Sequence, residues 1–301
     1  MAIPYVRSSV PVDGGDLCVG RWGTGDRIVV ASHGITANHL SFSIVAEHIV
    51  DRSDGEVSVV GIDHRGRAGS AEVAGPFGLV AHGDDVAAVM DHFGVERTVL
   101  LGHSLGGFII ANTAERHPSR CERLVLIDGG VPFPGGDAPV DPDVDVEAVI
   151  HAVIGPALAR LDMRFASIEA YVDFFRAHPA FQPPNEWTSA IEDYVRYDAV
   201  IDADGQVRSS VSKEVVLVDG GAAIAEPESA AAIERSAVPS TMLWCPRGLL
   251  DETPGLYTRD YLAVVTDRLP HVTATEVADT NHYTVVTTST GARAVADAVL
   301  D

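Results

Sequence analysis

The sequence predicts an α/β protein in which a mainly parallel sheet is covered by helices on both faces. Short runs rich in β-branched residues recur along the chain, and some, such as Arg27–Ser32 (RIVVAS), are apolar throughout, which is typical of strands buried on both faces. Segments with apolar residues at helical spacing, such as residues 38–50, separate these runs. The alternation of strand and helix is broken only once, between residues 132 and 238, so one sheet domain carrying an insertion is expected.

The predicted elements follow one another from the N-terminus. Residues 5–10 and 17–22 are predicted strands that flank the turn residues 13–16, which indicates a hairpin. Further strands are predicted at residues 27–32, 57–62, 98–101, 124–127, 240–245 and 272–277. Helices are predicted at residues 38–50, 78–93, 105–116 and 256–269, and a last helix is expected to end at Leu300.

The interruption predicts a helical cap at residues 132–238, inserted into a core domain of residues 1–131 and 239–301. A linker rich in Pro and Asp (137–146) leads into predicted helices at 146–161, 168–177 and 187–197. Eight of the 19 aromatic residues fall within residues 165–197 and form the core of the cap, the wall of an apolar pocket, or both. The cap also contains Arg160, Arg164, Arg176 and Arg196, which are expected to be solvated, contact with an acidic substrate group being the alternative.

Composition excludes several classes of function. The net charge of −22, with Lys213 as the only lysine, argues against a nucleic-acid partner, because phosphate binding needs clustered Lys or Arg. No apolar run approaches the roughly 20 residues that span a bilayer, and the N-terminus lacks a secretory pattern, so no membrane partner is predicted. The cysteines are odd in number (Cys18, Cys121 and Cys245) and lie singly in apolar segments, which predicts buried thiols and a cytoplasmic location. Without an H-E-x-x-H, P-loop or G-x-G-x-x-G pattern, neither a metal nor another cofactor is predicted.

Residues 99–107 read VLLGHSLGG and contain the pattern G-x-S-x-G around Ser104. A strand-like run precedes this pattern and an apolar helix-like run follows it. A serine on such a sharp strand-to-helix turn exposes its hydroxyl above the sheet, and the flanking glycines leave room for the turn. The sequence therefore predicts Ser104 as a nucleophile, and the same turn is expected to direct the side chain of His103 elsewhere.

A serine nucleophile needs a base, and that base needs a carboxylate that orients it. Loops at the carboxyl ends of parallel strands meet at one edge of the sheet, and His282 lies in such a loop, between the last strand and the last helix. Two aspartates compete as the acid. Asp251, in the loop after the seventh strand, is preferred because it gives the chain order Ser, Asp, His with the acid on its own long loop, and Asp128, at the end of the sixth strand, is the alternative.

At these motifs the chain resembles the α/β-hydrolase superfamily, in particular serine esterases and lactonases with a helical cap. The matching residues are His33-Gly34-Ile35, Asp63-His64-Arg65-Gly66, Gly102 to Gly107, Asp251 and Asn281-His282. The resemblance implies an eight-stranded sheet and an oxyanion hole formed by the backbone N–H groups of Leu105 and Ile35. Epoxide hydrolases and haloalkane dehalogenases of this fold carry Asp where this chain has Ser104, which argues against both activities.

These observations predict a serine hydrolase that cleaves a carboxylic ester, lactone or thioester through an acyl-enzyme. The expected substrate is a small, neutral, partly apolar molecule, because the cap is rich in aromatic residues. Two alternatives use the same fold. One keeps Ser104, His282 and the acid but acts as a carbon–carbon hydrolase or a cofactor-free perhydrolase, and the other senses a small ligand without turnover.

Overall fold

Eight strands form one sheet at the centre of the protein. The structure is a computed structural model that describes residues 3–134, 145–224 and 226–301. The described residues form ten strands, of which β7 and β8 lie outside this sheet: β1 (Tyr5–Val12), β2 (Gly15–Trp22), β3 (Arg27–Ser32), β4 (Val57–Ile62), β5 (Thr98–His103), β6 (Cys121–Ile127), β7 (Ala199–Ile201), β8 (Val207–Ser209), β9 (Ser240–Trp244) and β10 (Val272–Glu276). The sheet order is β1-β2-β4-β3-β5-β6-β9-β10, and all neighbours from β4 onward are parallel. This arrangement confirms the predicted eight-stranded, mainly parallel sheet.

Helices cover both faces of the sheet. The helices of the described residues, some of which lie away from the sheet, are α1 (Ser43–Arg52), α2 (Leu79–His92), α3 (Leu105–Arg116), α4 (Val146–Arg160), α5 (Ile168–Arg176), α6 (Ser189–Asp198), α7 (Lys213–Ile224), α8 (Pro227–Ala230), α9 (Ala232–Arg235), α10 (Arg259–Arg268), α11 (Thr284–Thr287) and α12 (Ser289–Leu300). Alternate strand residues serve opposite faces: Leu100 belongs to the hydrophobic cluster that contains residues of α2, α3 and α10, whereas Leu101 belongs to the one that contains residues of α1 and α12. Within the described ranges, no helix has the length and apolarity needed to span a membrane.

The segment between β6 and β9 contains α4 to α9 and an antiparallel hairpin of β7 and β8. The predicted helices at 146–161, 168–177 and 187–197 are confirmed as α4, α5 and α6. The hairpin and helices α7, α8 and α9 are absent from the sequence prediction, and α7 to α9 pack against α3 of the sheet domain. Most of the predicted linker at 137–146 lies outside the described residues.

Candidate active site

Ser104 lies on a sharp turn between β5 and α3, as predicted from the sequence. Its backbone has a φ of 55° and a ψ of −120°, a strained conformation for a residue other than glycine. The backbone N–H of Ser104 donates to the carbonyl of Ile127 at 2.8 Å. A Cβ atom on Gly106 would collide with the carbonyl oxygen of Ser32, so the first turn of α3 rests directly on the end of β3. We call this turn the elbow.

His282 follows β10 and contacts a buried carboxylate. Its Nδ1 lies 2.7 Å from Oδ2 of Asp128, and the two side chains are 6% and 0% exposed. The backbone N–H of Cys245 donates to the other oxygen of Asp128 at 3.1 Å. Because a carboxylate only accepts hydrogen bonds, Nδ1 of His282 is the donor, and Nε2 of the neutral ring is left as a proton acceptor.

The prediction that Asp251 contacts His282 is wrong, and Asp128, the alternative acid, occupies that position. Asp251 instead forms an ion pair with Arg247 at 2.7 Å and accepts a hydrogen bond from Asn281 at 2.7 Å. The reason is the distance of each residue from its strand. Asp128 is the first residue after β6, whereas Asp251 lies well inside the loop after β9, where Arg247 of the same loop holds its carboxylate.

The backbone groups predicted for an oxyanion hole flank the elbow. Leu105 is the first residue of α3, so its N–H has no acceptor within that helix. Ile35 lies just after β3 and lines the same cavities as Ser104. The loop that carries Ile35 passes close to the serine, since a Cβ atom on Gly34 would lie 3.7 Å from Oγ of Ser104. The arrangement can therefore present N–H groups from two chain segments to a group bound at Ser104.

Two cavities meet at Ser104 and His282, and we call them cavity A and cavity B. They enclose about 550 Å³ and about 470 Å³ of space, open solvent included, and share Ile35, Ile154 and Leu249 as further lining residues. Among the residues that the structure describes, additional polar side chains line cavity A alone, and they are Thr36, Ser41, His103, Tyr194, Tyr283 and Thr287. Cavity B is lined by aliphatic and aromatic side chains that include Leu105, Phe108, Phe133, Ile150, Val153 and Ala223.

His103 points into the site, which corrects the prediction that the turn directs it elsewhere. Its Nε2 lies 2.8 Å from the backbone carbonyl of His282, and the two rings are 4.7 Å apart. Burial lowers the pKa of His103 well below its ordinary value, and the neighbouring His282 lowers it further. Burial also lowers the pKa of His33 to about 4. These two histidines are therefore neutral near pH 7. A histidine inside a G-x-S-x-G pattern is the sequence signal that could have marked His103.

The aromatic cluster between residues 165 and 197 is chiefly a core of its own. Side chains such as Tyr171 and Phe175 pack together with parts of α5, α6 and β8. Of the eight aromatic residues, Phe181 and Tyr194 line cavity A, and cavity B is lined by none of them. Both interpretations of the cluster therefore hold, with the packing role the larger.

The four arginines of this segment pair with acidic side chains. Arg160 is buried and pairs with Asp198 at 2.8 Å, so the expectation of solvation is wrong for this residue. The remaining pairs are Arg164 with Asp202, Arg176 with Asp173 and Glu192, and Arg196 with Glu169 and Glu192. Neither cavity A nor cavity B is lined by these arginines.

The cysteines are free thiols, as predicted from their number and spacing. Cys121 and Cys245 are buried, and burial raises the pKa of Cys121 to about 12, so this thiol is protonated at neutral pH. Among the residues that the structure describes, no three His, Cys, Asp or Glu side chains are grouped as metal ligands.

Parts of the sequence are similar to those of known enzymes. A stretch of 133 residues is 35% identical to a protein of Caulobacter sp. (strain K31) that is named as a carbamate hydrolase, RutD; it covers 44% of this chain and 43% of that protein. A stretch of 148 residues is 30% identical to lipase LipV of Mycobacterium tuberculosis and covers 49% and 54%, respectively. The chain thus spans about half the length of the curated relatives it matches.

The structure as a whole is similar to solved structures of the same fold. Its superposition on E-2-(acetamidomethylene)succinate hydrolase has a TM-score of 0.74 and covers 98% of each chain at 20% identity. Residues 27–193, which are more than half of the chain, match the family described as alpha/beta hydrolase fold. The chain therefore belongs to the α/β-hydrolase family.

Proposed function

We propose that this protein is a serine hydrolase that cleaves a carboxylic ester of a small, neutral, partly apolar substrate. The observation that carries the proposal is the meeting of three groups at one place. Ser104 on its elbow and His282 line the same two cavities, and His282 is held by the buried carboxylate of Asp128. This is the set of groups that acyl transfer through a serine requires.

In the proposed reaction, Oγ of Ser104 attacks the carbonyl carbon of the ester while Nε2 of His282 accepts the hydroxyl proton. The negative charge that develops on the carbonyl oxygen is held by the N–H groups of Leu105 and Ile35, each worth roughly 3–4 kcal/mol in comparable sites. The imidazolium then gives its proton to the departing alcohol, and Asp128 stabilises the transient positive charge. Water attacks the acyl-enzyme in the same way and releases the carboxylic acid.

Residues 132–238 are proposed to act as a cap that shapes the substrate site. Supporting this, Ile154 of α4 lines both cavities, and Ala223 of α7 lines cavity B. The names of the relatives, a lipase and a carbamate hydrolase, fit a substrate whose carbonyl carbon bears an oxygen or nitrogen leaving group. Lactones and thioesters present the same carbonyl and belong to the proposed range.

The test is hydrolysis of p-nitrophenyl esters by the wild-type protein and by the Ser104→Ala and His282→Ala variants. We expect each substitution to lower kcat by about 10³-fold or more. A fluorophosphonate probe should label the wild type and leave Ser104→Ala unlabelled. Equal rates in all three proteins would overturn the proposal. Faster turnover of a β-diketone, or of acetate with peroxide, would replace it by carbon–carbon hydrolysis or perhydrolysis, and labelling without any turnover would favour a ligand sensor.

A further inference from the structure

Cavities A and B differ in the polar atoms that they leave without a partner. Two buried atoms that form no hydrogen bond within the described structure, Nδ1 of His103 and Oγ of Ser41, belong to residues that line cavity A. These residues are 4% and 6% exposed. In the part of the chain that the structure describes, cavity B by contrast is lined by apolar residues apart from Ser104 and His282, which it shares with cavity A. Four further unpaired atoms of the described chain belong to residues that line neither cavity, which are Arg21, His64, His82 and Arg123. Because buried polar atoms are normally paired, cavity A is the one of the two cavities whose residues have polar atoms free to bond to a bound group.

The hydrogen bond that His103 already forms determines whether its unpaired Nδ1 donates or accepts. Its Nε2 lies 2.8 Å from the carbonyl oxygen of His282, and a carbonyl only accepts, so the proton of the neutral ring is on Nε2. Its Nδ1 is therefore an acceptor. A Cβ atom on Gly34 would lie 3.5 Å from this Nδ1 and 3.7 Å from Oγ of Ser104, so the free acceptor and the nucleophile flank the same point.

The chemistry of acyl transfer distinguishes the two cavities. The leaving group receives its proton from His282, so it must depart on the side of the histidine. Of the residues that follow His282, Tyr283, Val286 and Thr287 line cavity A and none lines cavity B. The acyl group stays on Ser104, and the side chain of Leu105, the next residue, lines cavity B alone.

We propose that the substrate joins an apolar acyl group, held in cavity B, to a leaving group with an N–H or O–H donor, held in cavity A. His103 accepts the hydrogen bond from that donor, and the hydroxyl of Ser41 supplies a second contact. The inference rests on the esterase function proposed above and names its substrate class. A leaving group without the donor leaves a buried acceptor unpaired, so we expect it to be disfavoured by about 10- to 100-fold in kcat/KM.

Two pairs of esters test the position of the donor. One pair varies the leaving group at constant acyl group, with 2-hydroxyethyl hexanoate against propyl hexanoate and the longer 3-hydroxypropyl and butyl esters beside them. The other pair varies the acyl group, with methyl 6-hydroxyhexanoate against methyl heptanoate. We expect the hydroxyl to raise kcat/KM at least about tenfold in the leaving group and to lower it in the acyl group. A preference for the hydroxyl in the acyl group, or no preference in either, would overturn the inference.

Variants connect the preference to the two residues. Ser41→Ala and His103→Phe should each reduce the preference for the hydroxyl-bearing leaving group at least threefold. The preference is the ratio of the kcat/KM values of two substrates. A general loss of activity, caused by the loss of the contact between His103 and the carbonyl of His282, therefore cancels in this ratio. Ser43→Ala is the matched control, because this nearby hydroxyl donates to the carbonyl of Leu40 and lines neither cavity. A preference that both variants leave intact would overturn the role of His103 and Ser41.

The acyl half of the inference has its own pair of variants. Ala223 lines only cavity B and Ala157 lines only cavity A. Ala223→Leu should lower kcat/KM for heptanoate esters more than for acetate esters, whereas Ala157→Leu should discriminate against large leaving groups, with thermal unfolding confirming that both variants fold. The reverse pattern would overturn the assignment of the cavities. If no ester is hydrolysed in a way that depends on Ser104, the proposed function itself fails; hydrolysis without these preferences overturns the inference alone.

Discussion

Asp128 and Asp251 follow two neighbouring strands, β6 and β9, and offer a direct comparison within one sheet edge. Both have a positive φ, of 46° and 66°. Asp128 is fully buried and contacts the Nδ1 of His282 and the backbone N–H of Cys245. The side chain of Asp251 is 22% exposed and forms an ion pair with Arg247. Two residues of the same type, with similar backbone strain, thus have different partners.

The difference shows what a carboxylate needs in order to assist a histidine. The charge of Asp251 is already compensated by the permanent cation of Arg247, whereas Asp128 faces a ring that becomes positive only when it takes a proton. Burial strengthens this second interaction, because water does not screen it. The carboxylate that contacts His282 is therefore identified by its surroundings, and the distance along the chain from Ser104 does not identify it.

Replacing each aspartate in turn tests the difference between Asp128 and Asp251 most directly. We expect Asp128→Asn to lower kcat for ester hydrolysis by about 10³- to 10⁴-fold, because the amide neither fixes the ring of His282 nor stabilises its positive charge. Asp251→Asn should keep kcat within about tenfold of the wild type. Steady-state kinetics of both variants on one ester, with circular dichroism as the check on folding, measures the difference. A larger loss for Asp251→Asn would restore it as the acid.

The buried side chain of His33 also predicts a pH dependence of the free energy of unfolding. Burial lowers the pKa of His33 to about 4, whereas in the unfolded chain it titrates near pH 6.5. Between these pH values His33 is protonated in the unfolded chain and neutral in the folded chain, so the free energy of unfolding falls as the pH falls. From about pH 7.5 to about pH 5, His33 alone should lower the free energy of unfolding by about 2 kcal/mol.

Urea unfolding at both pH values is the measurement. The pKa values of His64 and His103 are likewise well below their ordinary value, chiefly because of burial, and they act in the same direction. The variant His48→Gln is the matched control, because this histidine lies on α1 and is not buried. Burial lowers the pKa of His82, but Asp219 and Asp85 outweigh it and raise that pKa, so His82 acts in the opposite direction. Stability that does not fall between pH 7.5 and pH 5 would contradict the prediction.

The smallest effect is expected at the ion pair of Asp251. Asp251→Asn leaves the partly buried guanidinium of Arg247 without its carboxylate, and we expect a loss of about 1 kcal/mol in the free energy of unfolding. A double-mutant cycle with Arg247→Met separates the pair from the rest of the loop. A coupling energy near zero would show that Asn281 and Asn185, which also bond to Asp251, hold the loop without the ion pair.

The sequence was sufficient for the strands and for the positions of Ser104 and His282 at one edge of the sheet. Continuous apolar runs mark buried parallel strands, and Ser104 and His282 follow from where such runs end. The acid was not determined, because both aspartates follow a strand at the correct edge and the pattern does not reveal that Arg247 binds one of them. The strands β7 and β8, with three residues each, are too short to show a period.

The contact that His103 forms was not predicted from the sequence either. Local geometry predicted that the turn directs its side chain elsewhere, but its Nε2 bonds to the carbonyl of His282, which is 179 residues away in the chain. Helix α7 was missed for a similar reason. It has apolar residues on several sides, because it packs against both α3 and α4, so it lacks the one-sided apolar stripe of a surface helix.

The elbow is assembled from contacts between backbone atoms, and this decides which substitutions the protein can tolerate. A Cβ atom on Gly106 would meet the carbonyl oxygen of Ser32, and one on Gly129 would meet the carbonyl oxygen of Ser104. The position of the nucleophile is thus independent of the side chains that line the two cavities. Laboratory evolution should accept wide variation at Ala157 and Ala223 and select new substrates there, while every surviving clone keeps both glycines.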